Sequence, residues 1–226
     1  MKKKLLVSVV VLVLVAWGAV AQAYVAYTPP LPEASLGNQG YWSGSLGMGF
    51  DTNAAIYVTS LGVFDSGQDG IPVGTTLHAA IFNRDTQALV VPIIDFTTGT
   101  GTSVGPSIFS PVAGGPKLLP AGGHYTIAAW GFNNSEPNGN IYYCVPTETN
   151  PAVFNSGGGL ISEGVATYSD NGTPGAYPNN PPTGFYIPGQ YWAGTFTFEA
   201  VPIPGTVWLL GSGLLGLAGL RRKFSR

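Results

Sequence analysis

Glycine and proline are spread so densely through the middle of this chain that no long helix fits between them. From Tyr24 to Pro204 they make up 46 of 181 residues. The longest stretch of that region without either residue is Thr75–Val91, and its centre, Asn83–Thr86, has the composition of a turn. Because both residues weaken helix interiors, and because no 3.6-residue apolar stripe is present, the pattern favours short strands.

Seven segments have the composition of β-strands, and several alternate apolar and polar residues with a period of two. The same region holds 24 aromatic residues, which supply large apolar side chains for a core. Many short strands between glycine and proline turns, without interleaved helices, are typical of an antiparallel β-sandwich. We therefore expect an all-β, jelly-roll-like fold, with loops and few strands over Pro146–Gln190. The predicted strands are Leu46–Phe50, Ile56–Phe64, Thr75–Phe82, Ala88–Ile94, Tyr125–Phe132, Ile141–Val145 and Gly194–Glu199.

Residues 1–23 have the three parts of a secretory signal peptide. Three lysines are followed by an apolar run over Leu5–Trp17 and by the small residues Ala21-Gln22-Ala23. This pattern predicts cleavage after Ala23, which leaves residues 24–200 as the exported domain. The alternative is an uncleaved anchor, although the apolar run is short for a helix that crosses about 30 Å of hydrocarbon.

The other end of the chain carries a second apolar run with a basic cluster behind it. Residues 205–220 contain no charged side chain, and Arg221, Arg222 and Lys223 follow within the tail 221–226. A helix of that length measures roughly 24 Å, which is shorter than the hydrocarbon core of about 30 Å. Local thinning of the bilayer can accommodate this difference. Because positive residues stay cytoplasmic, we expect the precursor to cross the inner membrane once with its body outside.

The segment 201–226 therefore has three ordered parts: a proline motif (201–205), a membrane helix and a basic tail. The motif reads Val201-Pro202-Ile203-Pro204-Gly205. In this order the parts resemble a PEP-CTERM protein-sorting signal, in its Val-Pro-Leu-Pro-like variant. The resemblance implies a Gram-negative protein that an exosortase cleaves near the proline motif and delivers to the cell surface. The alternative is an ordinary single-pass anchor that is never cut.

A second resemblance covers Gly47–Phe132. The run Ile56–Asp65 with the following Gly67–Gly70, and the later run Leu119–Ala128, are similar to secreted β-sandwich domains that often precede this sorting signal. The likeness implies the fold and no particular activity.

The charge of the region between the terminal segments differs sharply from that of the whole chain. The region Tyr24–Pro204 holds two basic residues, Arg84 and Lys117, and all eleven acidic ones, so its formal charge is −9 against −2 for the chain. Nucleic-acid binding requires basic side chains that neutralise phosphates. Two such residues exclude nucleic acid as a partner.

The segment Asp65–Gly70 resembles the start of a calcium loop, in which alternating oxygen ligands surround a hard cation. Gly67 lies between Asp65 and Asp69 and supplies no carboxylate, and Thr76 stands where an EF-hand would place its bidentate glutamate. Asp65 and Asp69 are therefore candidate calcium ligands. A polar turn after a strand is the simpler alternative.

Three tryptophans of the domain, Trp42, Trp130 and Trp192, are candidates for a sugar-stacking surface. The alternative is that they pack in the core or at its edge, as tryptophan commonly does.

The domain contains two histidines, His78 and His124, and one cysteine, Cys144. Catalysis by histidine requires a partnered cluster, so we expect both histidines to face solvent. A single cysteine excludes an intrachain disulfide. We expect Cys144 to be buried on Ile141–Val145, with an intermolecular disulfide as the alternative.

Taken together, these patterns predict an exported, non-enzymatic structural or interaction protein of the cell surface or extracellular matrix. The expected partners are the secretion machinery and exosortase, the inner membrane in transit, and exopolysaccharide. One alternative is a carbohydrate-binding module that uses exposed aromatics. Another is a hydrolase, which requires two carboxylates in one cleft.

Overall fold

Short alternating segments of the sequence form antiparallel strands in two large sheets. The computed structural model describes residues 22–30, 37–140, 151–181 and 189–202, and within these ranges the chain is all-β. Residues Ala23–Ala200 form one compact unit. The strands are β1 (Tyr24–Val25), β2 (Tyr27–Thr28), β3 (Leu46–Thr52), β4 (Ile56–Phe64), β5 (Leu77–Asn83), β6 (Leu89–Phe96), β7 (Thr102–Val104), β8 (Ser107–Pro111), β9 (Lys117–Leu119), β10 (His124–Trp130), β11 (Gly139–Asn140), β12 (Val153–Phe154), β13 (Ile161–Tyr168), β14 (Tyr191–Trp192) and β15 (Gly194–Ala200).

The five-stranded sheet has the order β13-β3-β10-β5-β6. Its central strand, β10, pairs with β3 on one side and with β5 on the other, so that Ile127 lies opposite both Met48 and Ile81. A β-bulge between Glu163 and Ala166 interrupts the pairing of the edge strand β13 with β3. All of these pairings are antiparallel.

The six-stranded sheet is built around β4, the longest strand. Its order is β1-β15-β4-β8-β7, and β9 also pairs with β4. The second half of β4 pairs with β8 and the first half with β9, while β15 runs along its other edge. Two smaller sheets join β11 to β14 and β12 to β2.

The two large sheets contribute to one hydrophobic core. Phe50 of β3 and Phe196 of β15 come from different sheets, and their ring centroids lie 4.5 Å apart. Along β5, Leu77, Ala79 and Ile81 are fully buried in this core. The alternate residues Ala80 and Phe82 join a smaller cluster on the other face of the sheet.

Six of the predicted strands lie in the described ranges, and all six are present: Ile56–Phe64 has its predicted bounds, and the other five are shifted by at most two residues at either end. Over Pro146–Gln190, where loops with few strands are predicted, the described ranges contain β12 and β13, and β13 forms an edge of the five-stranded sheet that the sequence did not locate. Its alternation is disguised by the bulge and by Gly164. The predicted strand Ile141–Val145, with Cys144, lies outside the described residues.

The terminal segments of the sequence prediction also lie almost entirely outside the described residues. Outside them lie residues 1–21 of the predicted signal peptide, the apolar run 205–220 and the basic tail 221–226. Within the ranges that the structure describes, no helix is long and apolar enough to cross a membrane.

Removing the Phe50 ring should destabilise the fold strongly, because this side chain is fully buried and contacts the rings of Tyr125 and Phe196. We expect Phe50→Ala to lower the free energy of unfolding by about 3–5 kcal/mol. The control Val73→Ala changes a side chain that is 89% exposed and should cost less than about 0.5 kcal/mol. Urea unfolding of the full chain measures both values, and equal losses would contradict the shared core.

Candidate functional site

The chain leaves β4 through a tight polar loop that buries its first carboxylate. Asp65 is 1% exposed, and both of its carboxylate oxygens accept the Gly70 N–H, at 3.1 and 3.2 Å. The backbone turns back through left-handed conformations at Gly67, Gln68 and Gly70, with φ of 86°, 57° and 90°. This turn places Asp69 on the exposed side of the loop.

A second loop, after β10, approaches the first from the other large sheet. Gly131 starts it with φ 94°, and a Cβ there would lie 2.3 Å from the Thr76 carbonyl oxygen. Two backbone hydrogen bonds and the Asn133 side chain close a turn over Asn133–Glu136. Glu136 is fully buried at the end of this turn.

One charge-assisted hydrogen bond holds the two loops together. The Ser66 N–H donates to Glu136 Oε1 at 2.6 Å. The Ser66 hydroxyl in turn accepts the Gly37 N–H at 2.9 Å. Glu136 Oε2, also buried, has no hydrogen-bond partner.

Asp65, Asp69 and Glu136 form what we call the acidic cluster. Each offers one carboxylate oxygen, and these three atoms lie within 4.8 Å of one another. Two of the three residues are buried and Asp69 is exposed. Such a group of oxygen donors can hold a hard divalent cation.

Burial shifts the protonation of the two inner carboxyl groups. It raises the pKa of Glu136 to about 7, an effect that the Ser66 N–H opposes and that the charges of Asp65 and Asp69 increase. Burial likewise raises the pKa of Asp65, against the hydrogen bond from the Gly70 N–H and together with the charge of Asp69. The site therefore resists carrying three negative charges without a compensating cation.

The ion pairs of the described residues lie away from the acidic cluster. Within the described ranges, Arg84 and His124 pair with Asp51, and His78 pairs with Asp95. His124 Nδ1 lies 3.0 Å from Asp51 Oδ1, and His78 Nδ1 lies 2.8 Å from Asp95 Oδ1. None of these pairs includes a residue of the acidic cluster.

The structure brings together both predicted calcium ligands, Asp65 and Asp69, but not in an EF-hand arrangement. The third carboxylate comes from Glu136, whereas Thr76 lies just before β5 and takes no part in the cluster. Sequence reasoning missed Glu136 because it is 71 residues away from Asp65 along the chain. The one local signal is its position beside the turn-forming Asn133.

Two of the three predicted sugar-stacking tryptophans are buried. Trp130 and Trp192 are 5% and 3% exposed; Trp130 stacks on the His78 ring, and Trp192 packs on Phe64. Neither ring face is open to a sugar, which removes both from the predicted sugar-binding set. Trp42 is partly buried and meets the Tyr168 ring edge-on.

The histidines differ in their surroundings. The His124 side chain is 49% exposed, in line with the expected solvent-facing position, whereas His78 is only 28% exposed because it is stacked on Trp130. Their carboxylate partners are the separate residues Asp95 and Asp51.

The residues next to the predicted processing points are exposed. Ala23 directly precedes β1, and Pro202 follows β15. Ala21, Ile203, Pro204, Gly205 and the basic residues Arg221, Arg222 and Lys223 lie outside the described residues.

Comparisons with known proteins return little for this chain. No protein-family model matches it, and no curated protein matches. Among solved structures, a D431N mutant of the VP2 protein of infectious bursal disease virus, in derived T=1 particles, aligns at 14% identity and a TM-score of 0.24. The alignment covers 83% of this chain and 42% of the VP2 chain, and nothing about this protein follows from it.

The raised pKa of Glu136 predicts a pH-dependent stability when divalent cations are removed by a chelator. The folded protein holds the Glu136 proton more tightly than the unfolded chain, where the ordinary value is 4.5. The resulting stabilisation is fully present below that value and is lost as the pH rises through about 7. Relative to Glu136→Gln, the wild type should lose about 3 kcal/mol of unfolding free energy between about pH 4 and pH 8.

Urea unfolding across that range measures the difference between the two proteins. Asp85→Asn, which removes an exposed carboxylate outside the cluster, provides the baseline. If the difference in unfolding free energy between the wild type and Glu136→Gln stayed constant with pH, the raised pKa of Glu136 would be contradicted.

Proposed function

We propose that the chain is an exported, exosortase-sorted protein of the cell surface or extracellular matrix with a non-enzymatic structural or interaction role. The folded body is interpreted as a β-sandwich of jelly-roll-like topology, a proposal supported by the shared core of the two large sheets. The terminal segments then act as temporary membrane tethers: a signal peptide in front and a sorting signal behind.

The observation that carries this proposal is where the folded unit begins and ends. The compact unit covers Ala23–Ala200, and the predicted processing points are Ala23 and the proline motif from Val201. Tyr24 lies opposite Phe198 in the antiparallel pair of β1 and β15. The chain therefore enters and leaves this sheet edge at the same end, next to the exposed residues Ala23 and Pro202.

A passive role in the matrix is favoured by the burial of the only carboxylate cluster found among the described residues. Asp65 and Glu136 are 1% and 0% exposed. In a hydrolase of the two-carboxylate type, one carboxyl group protonates the glycosidic oxygen and the other acts at the anomeric carbon or on the attacking water, so both have to be open to the substrate. Asp65 and Glu136 therefore give the hydrolase alternative no support, and the carbohydrate-module alternative retains only Trp42 of its three tryptophans.

The sorting proposal predicts a specific mature protein in the native host. Its mass should correspond to a chain that starts at Tyr24 and ends near the proline motif 201–205, without the apolar run 205–220 and the tail 221–226, because both membrane segments are removed after export. Loss of exosortase, or the double change Pro202→Ala and Pro204→Ala, should leave a heavier, membrane-bound form. Mass spectrometry of surface and membrane fractions distinguishes the two.

A matched control changes two prolines within the folded body. Pro116 and Pro120 are exposed and flank β9, so Pro116→Ala with Pro120→Ala should leave sorting unchanged. Surface protein of unaltered mass in a strain without exosortase would refute the proposal. Cosedimentation of the mature protein with purified exopolysaccharide then tests the proposed matrix partner.

A further inference from the structure

We propose that Asp65, Asp69 and Glu136 form a calcium-binding site that connects the loop after β4 to the loop after β10. This inference does not depend on the sorting signal. It extends the two-residue sequence motif to a three-carboxylate site assembled from both large sheets.

The first support is an unsatisfied acceptor inside the site. Glu136 is 0% exposed, and its Oε2 atom has no hydrogen-bond partner. The other oxygen of the same carboxylate already accepts the Ser66 N–H. A buried polar atom without a partner is costly, and a cation held between Glu136, Asp65 and Asp69 would satisfy it.

The second support is that the domain itself supplies no cation for this position. Arg84 and Lys117 are the only lysine or arginine residues between Tyr24 and Pro204. Arg84 pairs with Asp51, and Lys117 lies on β9 at the opposite half of β4 from Asp65. Buried carboxylates require a paired charge or a proton, and a dissolved cation would supply that charge.

The donor set selects calcium over other metals. All three ligands are carboxylates, whereas zinc sites in proteins are built mainly from cysteine and histidine. Magnesium demands a near-ideal octahedron and keeps several waters, while calcium accepts six to eight oxygen ligands in flexible geometry. Two irregular loops that meet from different sheets suit the flexible geometry of calcium. Backbone carbonyls and water would complete its coordination shell.

The site also has an entry path. Asp69 is exposed whereas Asp65 and Glu136 are buried, so a cation can bind Asp69 first and then pass to the inner carboxylates. The three ligands stand on loops that follow Phe64 and Trp130, the last residues of β4 and β10. Calcium would therefore fasten the two large sheets to each other at this end.

Calcium binding by the full chain in detergent tests the proposal. Isothermal titration with CaCl2, after treatment with a chelator, should give one site per chain with a Kd on the order of 10⁻⁴ M. A hundredfold excess of calcium over Kd should raise Tm by about 5–10 °C. Magnesium at the same concentration should raise it by much less.

Two variants locate the binding. Glu136→Gln keeps the shape of the side chain and should weaken calcium binding by at least about tenfold. Asp69→Asn changes an exposed residue, so its folding is not at risk, and it should weaken binding in the same way. Asp85→Asn removes one exposed carboxylate elsewhere and should retain the full calcium-induced shift.

The proposal is overturned if the wild type neither binds calcium nor gains thermal stability from it. It is also overturned if Glu136→Gln and Asp69→Asn bind as tightly as the wild type. Equal shifts from magnesium and calcium would overturn the choice of metal.

Discussion

The contact between the two large sheets is the interaction on which the rest of the structure depends. Phe50 and Phe196 meet across the core at 4.5 Å, and apolar residues of both sheets pack around them. Because β4 and β10 belong to different sheets, the loops that follow them can meet only when this core is formed. The acidic cluster is thus a product of tertiary packing and not of a local loop motif.

The second constraint is the shortage of positive charge in an acidic domain. With two lysine or arginine residues against eleven acidic ones between Tyr24 and Pro204, most carboxylates lack a basic partner. Backbone amides of the loops bind the carboxylates instead. The Gly70 N–H donates a hydrogen bond to Asp65, and the Ser66 N–H donates one to Glu136. These amides provide some of the hydrogen bonds that the buried carboxylates need, but Glu136 Oε2 has no partner. This oxygen is therefore available to bind a dissolved cation. The stability of the domain would then respond to the ions around it.

Local patterns in the sequence were sufficient for much of the fold. The strand Ile56–Phe64 was predicted with its observed bounds, because it contains no proline and the polar turn Asp65–Gly70 ends it. The edge strand β13 was missed because the bulge between Glu163 and Ala166 breaks the two-residue period. Two of the three site residues, Asp65 and Asp69, were visible in the sequence, whereas Glu136 was not, because its proximity to them is set by how the sheets pack. The same limit applies to Trp130 and Trp192, whose burial depends on neighbours far away in sequence.

Hydrogen exchange tests most directly whether the acidic cluster joins the two sheets. Peptides that cover 65–70 and 133–138 would be followed in the chelated full chain before and after calcium is added. The account predicts that calcium slows exchange in both peptides together, because one ion binds carboxylates from both loops, while the turn at 83–88 between β5 and β6 stays unchanged. Slower exchange in only one of the two loops, or in neither, would contradict it.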